Sequence, residues 1–132
     1  MSPENVEVVR AVYEEWAKGN LTAGLDLYDP NVLFMPGSEW TETGRYLGTD
    51  GIREFMRAYL DAWTDLTYAA EELIEADNSV VVAISQRCVG RGSGAPTEWH
   101  GFHVWTFRGR SVIRLEAFPS RAEALEAVGL RE

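Results

Sequence analysis

Apolar residues recur at helical spacing through the first stretch of the chain, "SPENVEVVRAVYEEWAKGN". Val6, Val9, Tyr13 and Trp16 fall on one stripe, which predicts an amphipathic helix. Ser2 stands where an N-cap is wanted, Pro3 at the first helical position, and Glu4 near the positive end of the helix dipole. Gly19-Asn20 ends the helix. Thr22 caps a short second helix through "AGLDLY". Asp29-Pro30 stops that helix, because a residue before proline avoids the helical region. "NVLFMP" reads as a short strand and "GSEWTETGRYLG" as a polar, glycine-punctuated loop. A third helix, "TDGIREFMRAYLDAW", takes Thr49 as its cap and carries Ile52, Phe55, Met56, Tyr59 and Trp63.

The pattern then changes. "LTYAAEELIEA", "SVVVAISQRCVGR", "TEWHGFHVWTFR" and "SVIRLEAF" are rich in β-branched and aromatic residues. Turn signals at Asp77-Asn78, "GSGAP" and Gly109-Arg110 separate them, which predicts a four-stranded antiparallel meander. "SRAEALEAVGL" closes the chain as a short helix, with Ser120 as cap and Gly129 as stop. Helices segregated from an antiparallel sheet mean an α+β fold. At 132 residues the chain fits one domain over 1–132 with one core, and it shows no repeat or linker.

Composition sharpens this picture at a few points. A net charge of −9 with no Lys/Arg cluster offers no cationic face for phosphates, so nucleic acid is not an expected partner. The same acidity argues against an anionic membrane surface, and its plain meaning is solubility. Five Trp, five Tyr and five Phe are enough to line a cavity as well as fill a core. Cys88, the one cysteine, lies among apolar and β-branched residues and reads as a buried, inert thiol. The N-terminus lacks the basic region and apolar core of a signal peptide, and no apolar run approaches membrane-spanning length. A cytoplasmic protein is the simplest expectation. "GTDGIREF" has glycines but no Gly-Lys-Ser/Thr element and no dinucleotide fingerprint, so no cofactor is expected.

Both histidines, His100 and His103, sit in "WHGFHVW". They are three apart, so a regular strand sends them to opposite faces. They cannot bind one metal ion from a flat strand, and no Cys/His cluster exists elsewhere, so no metal is expected.

The order of elements and the words "AVYEEWAKGNLTAGLDLYDPNVLF", "YLGTDGIREFMRAYLDAW" and "HVWTFRGRSVIRLEAFPSRAEALEAVGL" resemble the SnoaL-like polyketide cyclases, within the wider nuclear-transport-factor-2-like superfamily. The resemblance implies a cone. A curved antiparallel sheet would wrap around three helices of the N-terminal half, with a short C-terminal helix, leaving an apolar pocket open at one end. It also implies a small hydrophobic molecule as partner and a homodimer formed through the outer sheet face.

The family's acids can be sought position by position. Ketosteroid isomerases place a base just before a proline at the end of the first strand, and here that position is Met35, which cannot take a proton. Their tyrosine donor on the first helix falls near Tyr13, about one position out of register. The cyclase pattern pairs a histidine with an aspartate on the last strand; His103 supplies the histidine, and Ala117 stands where the acid belongs. Glu116 is one residue away, and side chains alternate across a strand.

Hairpin register decides whether Glu116 can substitute. A plain two-residue turn at Gly109-Arg110 pairs Arg108 with Ser111 and puts His103 and Trp105 on the face of Arg114 and Glu116. A three-residue loop with a bulge flips the parity and puts them with Ile113, Leu115 and Ala117. The apolar character of those three favours the second register. The catalytic candidates are therefore His103, Glu116 and Tyr13. The pocket candidates are Trp16, Met35, Trp40, Tyr46, Phe55, Tyr59, Trp63, Trp105, Leu115 and Ala117, with Trp40 and Tyr46 at the mouth. Core packing is the competing role for the helical aromatics. Two kinds of function remain open. One is binding of a small apolar molecule with acid–base isomerisation, cyclisation or hydrolysis centred on His103. The other is a non-catalytic ligand-binding or dimerising accessory protein.

Overall fold

A computed structural model describes residues 3–36 and 45–130. Ser2 and Trp40, an expected cap and an expected pocket residue, lie outside the described residues. Helix α1 (Pro3–Ala17) forms over the predicted stripe and buries Val9, Val12, Tyr13 and Trp16. Its end is a Schellman cap: Gly19 at φ 91 donates to Trp16 O, and Asn20 donates to Glu15 O.

The expected second helix shrinks to a single 3₁₀ turn, Leu25–Leu27. Asp29-Pro30 does not stop a helix but lies inside strand β1 (Tyr28–Met35). The pairing of β1 is irregular between Tyr28 and Leu33, where Pro30 has no N–H to give. A two-residue strand β2 (Tyr46–Leu47) follows. Helix α2 (Gly48–Ala62) begins without a side-chain cap, so Thr49 sits in its first turn rather than capping it. The buried face of α2 is Ile52, Phe55 and Tyr59, as the spacing requires.

Strands β3 (Trp63–Ala76), β4 (Ser79–Gly90), β5 (Pro96–Arg108) and β6 (Ser111–Phe118) form the meander, and α3 (Arg121–Ala127) follows with Ser120 as its cap. The six strands make one curved, unclosed sheet in the order β2-β1-β6-β5-β4-β3. The fold is the α+β cone expected, with a second difference beside the lost helix. The sheet is mixed, because β1 runs parallel to β6. Bulges bend it: two in β3 and one between β5 and β6.

Helix α1 packs Val9, Val12, Tyr13 and Trp16 against Val80, Val82, Ile84 and Trp105 on the inner face. Helix α3 covers part of the outer face, with Ala124 on Val81 and Val104, and Arg121 paired to Glu72 at 2.8 Å. Among the described residues no helix is long and apolar enough to cross a membrane.

The β5–β6 hairpin combines features of both expected registers. Arg108 pairs with Ser111 across a two-residue turn in which Gly109 takes φ 63 and Arg110 does not go positive, as in a type II′ turn. Phe107 then pairs with Val112 but Thr106 with Arg114, so Ile113 is the extra residue of a bulge. Beyond it Trp105 faces Leu115 and His103 faces Ala117.

Candidate functional site

Alternation along β5 directs Trp99, Gly101, His103, Trp105 and Phe107 inward. His100 points outward, its ring near the carboxylates of Glu98 at 3.4 Å and Glu71 at 3.9 Å. The two histidines are therefore on opposite faces of the sheet.

His103 meets α1. Tyr13 Oη is 2.6 Å from His103 Nδ1, and Trp105 Nε1 donates to Tyr13 Oη at 2.9 Å. The direction of this chain follows from the proton count. The Tyr13 oxygen already accepts from Trp105, and no other acceptor for its proton is present among the described residues, so the phenol donates to Nδ1. That leaves the imidazole as the Nε2–H tautomer. Nε2 has no protein partner among the described residues, and no buried side-chain nitrogen or oxygen there lacks one, so Nε2 opens to the cavity that His103 lines.

Burial sets the protonation states. Desolvation lowers the His103 pKa from 6.5 to about 4, so the ring is neutral at pH 7. Burial also pushes the Tyr13 phenol well above its usual range; the Trp105 N–H opposes this and the phenols of Tyr28 and Tyr68 add to it. Tyr28, Tyr59 and Tyr68 are raised for the same leading reason. These four phenols are hydrogen-bonding groups at neutral pH, not charges.

The cavity lies between the inner face of the sheet and the two long helices, and has a volume of about 90 Å³ open to the centre of a water molecule. Of the expected residues, Trp16, Phe55, Tyr59, His103, Leu115, Glu116 and Ala117 line it. Tyr13 reaches it through His103. Met35, Tyr46, Trp63 and Trp105 are not in the lining; Trp105 is fully buried behind His103, and Tyr46 packs edge-on to Phe55 at 5.3 Å. Glu116 reaches the lining from the strand's other face. Its carboxylate pairs outward with Arg114 at 3.5 Å, and the residue across from His103 is Ala117. The bulge at Ile113 is what separates Glu116 from the imidazole.

Sequence reasoning missed Tyr28, Tyr68 and Gln86, which also line the cavity. Tyr28 was hidden by the expected helix end. Gln86 was legible: Val80, Val82, Ile84, Gln86 and Cys88 occupy alternate positions of β4, so Gln86 is the polar member of a buried row.

The family model described as a SnoaL-like domain matches residues 9–115. No curated protein matches the chain in sequence. Solved structures match its fold. An NTF2-like protein of unknown function from Burkholderia pseudomallei is 23% identical over 98% of this chain and 99% of its own, with a TM-score of 0.78. TerC, co-crystallised with polyporic acid, is 23% identical over 94% and 96%, with a TM-score of 0.75. A putative SnoaL-like polyketide cyclase from Jannaschia is 17% identical over 100% and 98%, with a TM-score of 0.74.

Proposed function

We propose that this chain, which belongs to the SnoaL-like domain family, binds a small, uncharged ring compound bearing a carbonyl, and that His103 Nε2–H donates to the carbonyl oxygen. The observation that carries this is the Trp105–Tyr13–His103 chain, which ends in one free N–H inside an apolar cavity. A charged ligand would lose its hydration there against neutral phenols and a neutral imidazole, so the cavity favours an uncharged one. TerC, of like fold, has been crystallised with polyporic acid, so a cone of this shape holds a small molecule in that protein.

Polarisation of the carbonyl is better supported than net proton transfer. If His103 gave its Nε2 proton to substrate and recovered one from Tyr13, a phenolate would remain at a site where burial already raises the phenol pKa. Neither Met35 nor Ala117 supplies a carboxylate to take a proton from carbon. Acid–base isomerisation, cyclisation or hydrolysis on this scaffold would have to use His103 in that weakly basic state. Self-association belongs to the same proposal. Helix α3 leaves Ala83, Ser85, Arg87 and His100 of the outer face for a second copy.

The test is a titration of the tryptophan fluorescence with 2-acetonaphthone and with 2-ethylnaphthalene, which lacks the carbonyl. The ketone binds more tightly to the wild type, and His103→Leu removes the difference. Equal affinity for both ligands in the wild type, or no binding of either, would sink the proposal.

A further inference from the structure

The cavity has a second polar end, away from His103. Gln86 on β4 is 3% exposed and lines the cavity. Its amide nitrogen donates to Tyr59 Oη on α2. Tyr59 in turn contacts the Tyr68 phenol. The amide oxygen has no partner among the described residues, yet no buried side-chain oxygen there lacks one, so Gln86 Oε1 opens to the cavity just as His103 Nε2 does. A polar side chain held this deep by a partner on its nitrogen side, with its carbonyl bare, is an acceptor prepared for a donor that the described residues do not supply.

Sheet register gives the spacing. His103 pairs with Val82, and Gln86 is four residues further along β4 on the same face. That is about 13 Å of strand at the backbone, and less at the side-chain tips because the inner face is concave. Leu66 and Phe55 pack with Tyr59 and Cys88 around the Gln86 end and give it apolar walls.

We infer that Gln86 Oε1 is a second recognition subsite, and that the ligand is a two- or three-ring hydroxy-ketone whose carbonyl faces His103 and whose hydroxyl donates to Gln86. This rests on the ligand-binding reading above. It adds the far end of the ligand and the sense of its hydrogen bond. Tyr59 acts as the positioning residue that holds the amide nitrogen.

Three matched probes test it at about pH 6.5, where their phenols stay neutral: 6-hydroxy-2-acetonaphthone, 6-methoxy-2-acetonaphthone and 2-acetonaphthone itself. Wild type binds the hydroxy-ketone about tenfold more tightly than either of the others, the scale of one buried hydrogen bond gained. In Gln86→Met the three affinities converge. Equal binding of all three probes to wild type overturns the subsite and leaves the cavity reading standing. Binding of none overturns both. Tighter binding of the methoxy ether than of the phenol also overturns it, since it means that the amide presents N–H rather than oxygen. The probe series on wild type decides the matter even if Gln86→Met fails to fold.

Discussion

Acid should weaken this protein through one imidazole. His103 has a pKa of about 4 in the fold against 6.5 when unperturbed, because burial removes the hydration that its charged form needs. The unfolded chain takes up a proton at His103 as pH falls through 6.5, and the folded chain does so only near 4. The stability from neutral His103 is therefore present above pH 6.5 and is lost progressively between 6.5 and 4. The full loss is about 3 kcal/mol, at roughly 1.4 kcal/mol per pKa unit. Between pH 7 and pH 5 it is about 2 kcal/mol. Other groups titrate over the same range, so the informative quantity is a difference. Urea unfolding of wild type and His103→Gln at both pH values isolates it, because glutamine can still accept from Tyr13 and carries no proton to titrate. Wild type should lose about 2 kcal/mol more than the variant. Carbon-detected NMR of a His100→Asn background, which leaves a single imidazole, reads the His103 pKa directly. A midpoint near 6.5 in the folded protein, or parallel losses in wild type and variant, would refute the argument that the cavity excludes charge at this ring.

Four further substitutions probe the same wall. Tyr13→Phe leaves the Trp105 indole N–H and His103 Nδ1 without their shared partner, and should cost about 1–3 kcal/mol by urea denaturation; a cost below about 0.5 kcal/mol would mean that water replaces the phenol. Ala117→Asp places a carboxylate directly across from His103, and should raise the His103 pKa by about 1–3 units by NMR, whereas Glu116→Gln should leave it where it is. The reverse result would show that the hairpin pairs in the other register. Gly101→Ala drives a methyl into the Trp99 indole lying over that strand, which should cost about 1–3 kcal/mol and shift the tryptophan emission. An unchanged spectrum and stability would place the indole elsewhere.

Much of the scaffold is legible because it depends on short-range pattern. The stripe of α1, the apolar face of α2 and the four meander strands follow from periods of 3.6 and 2, which need no knowledge of what lies opposite. The errors lie where a local signal met a long-range partner. "AGLDLY" and Asp29-Pro30 look like a capped helix and its stop, but pairing with β2 and β6 draws Tyr28–Met35 into the sheet. Thr49 looks like a cap, but Leu47 is already tied to β1 when the helix starts.

The sequence alone determined that His100 and His103 part company, since three residues on a strand cannot share a face. It also determined that neither Met35 nor Ala117 brings an acid. It could not choose between Glu116 and Ala117 as the neighbour of His103. Two-residue turn and bulge are alternatives when read locally, yet this hairpin contains both, with the turn at Gly109-Arg110 and the bulge at Ile113. A bulge is stable only if the sheet gains from bending where it occurs, and here the bend belongs to a sheet curved around α1 and α2. Nor could the sequence show that Tyr13, ninety residues away, would close onto His103 Nδ1. That contact exists because the curved sheet brings the inner face of β5 against one face of a helix, a consequence of packing rather than of any residue in "WHGFHVW".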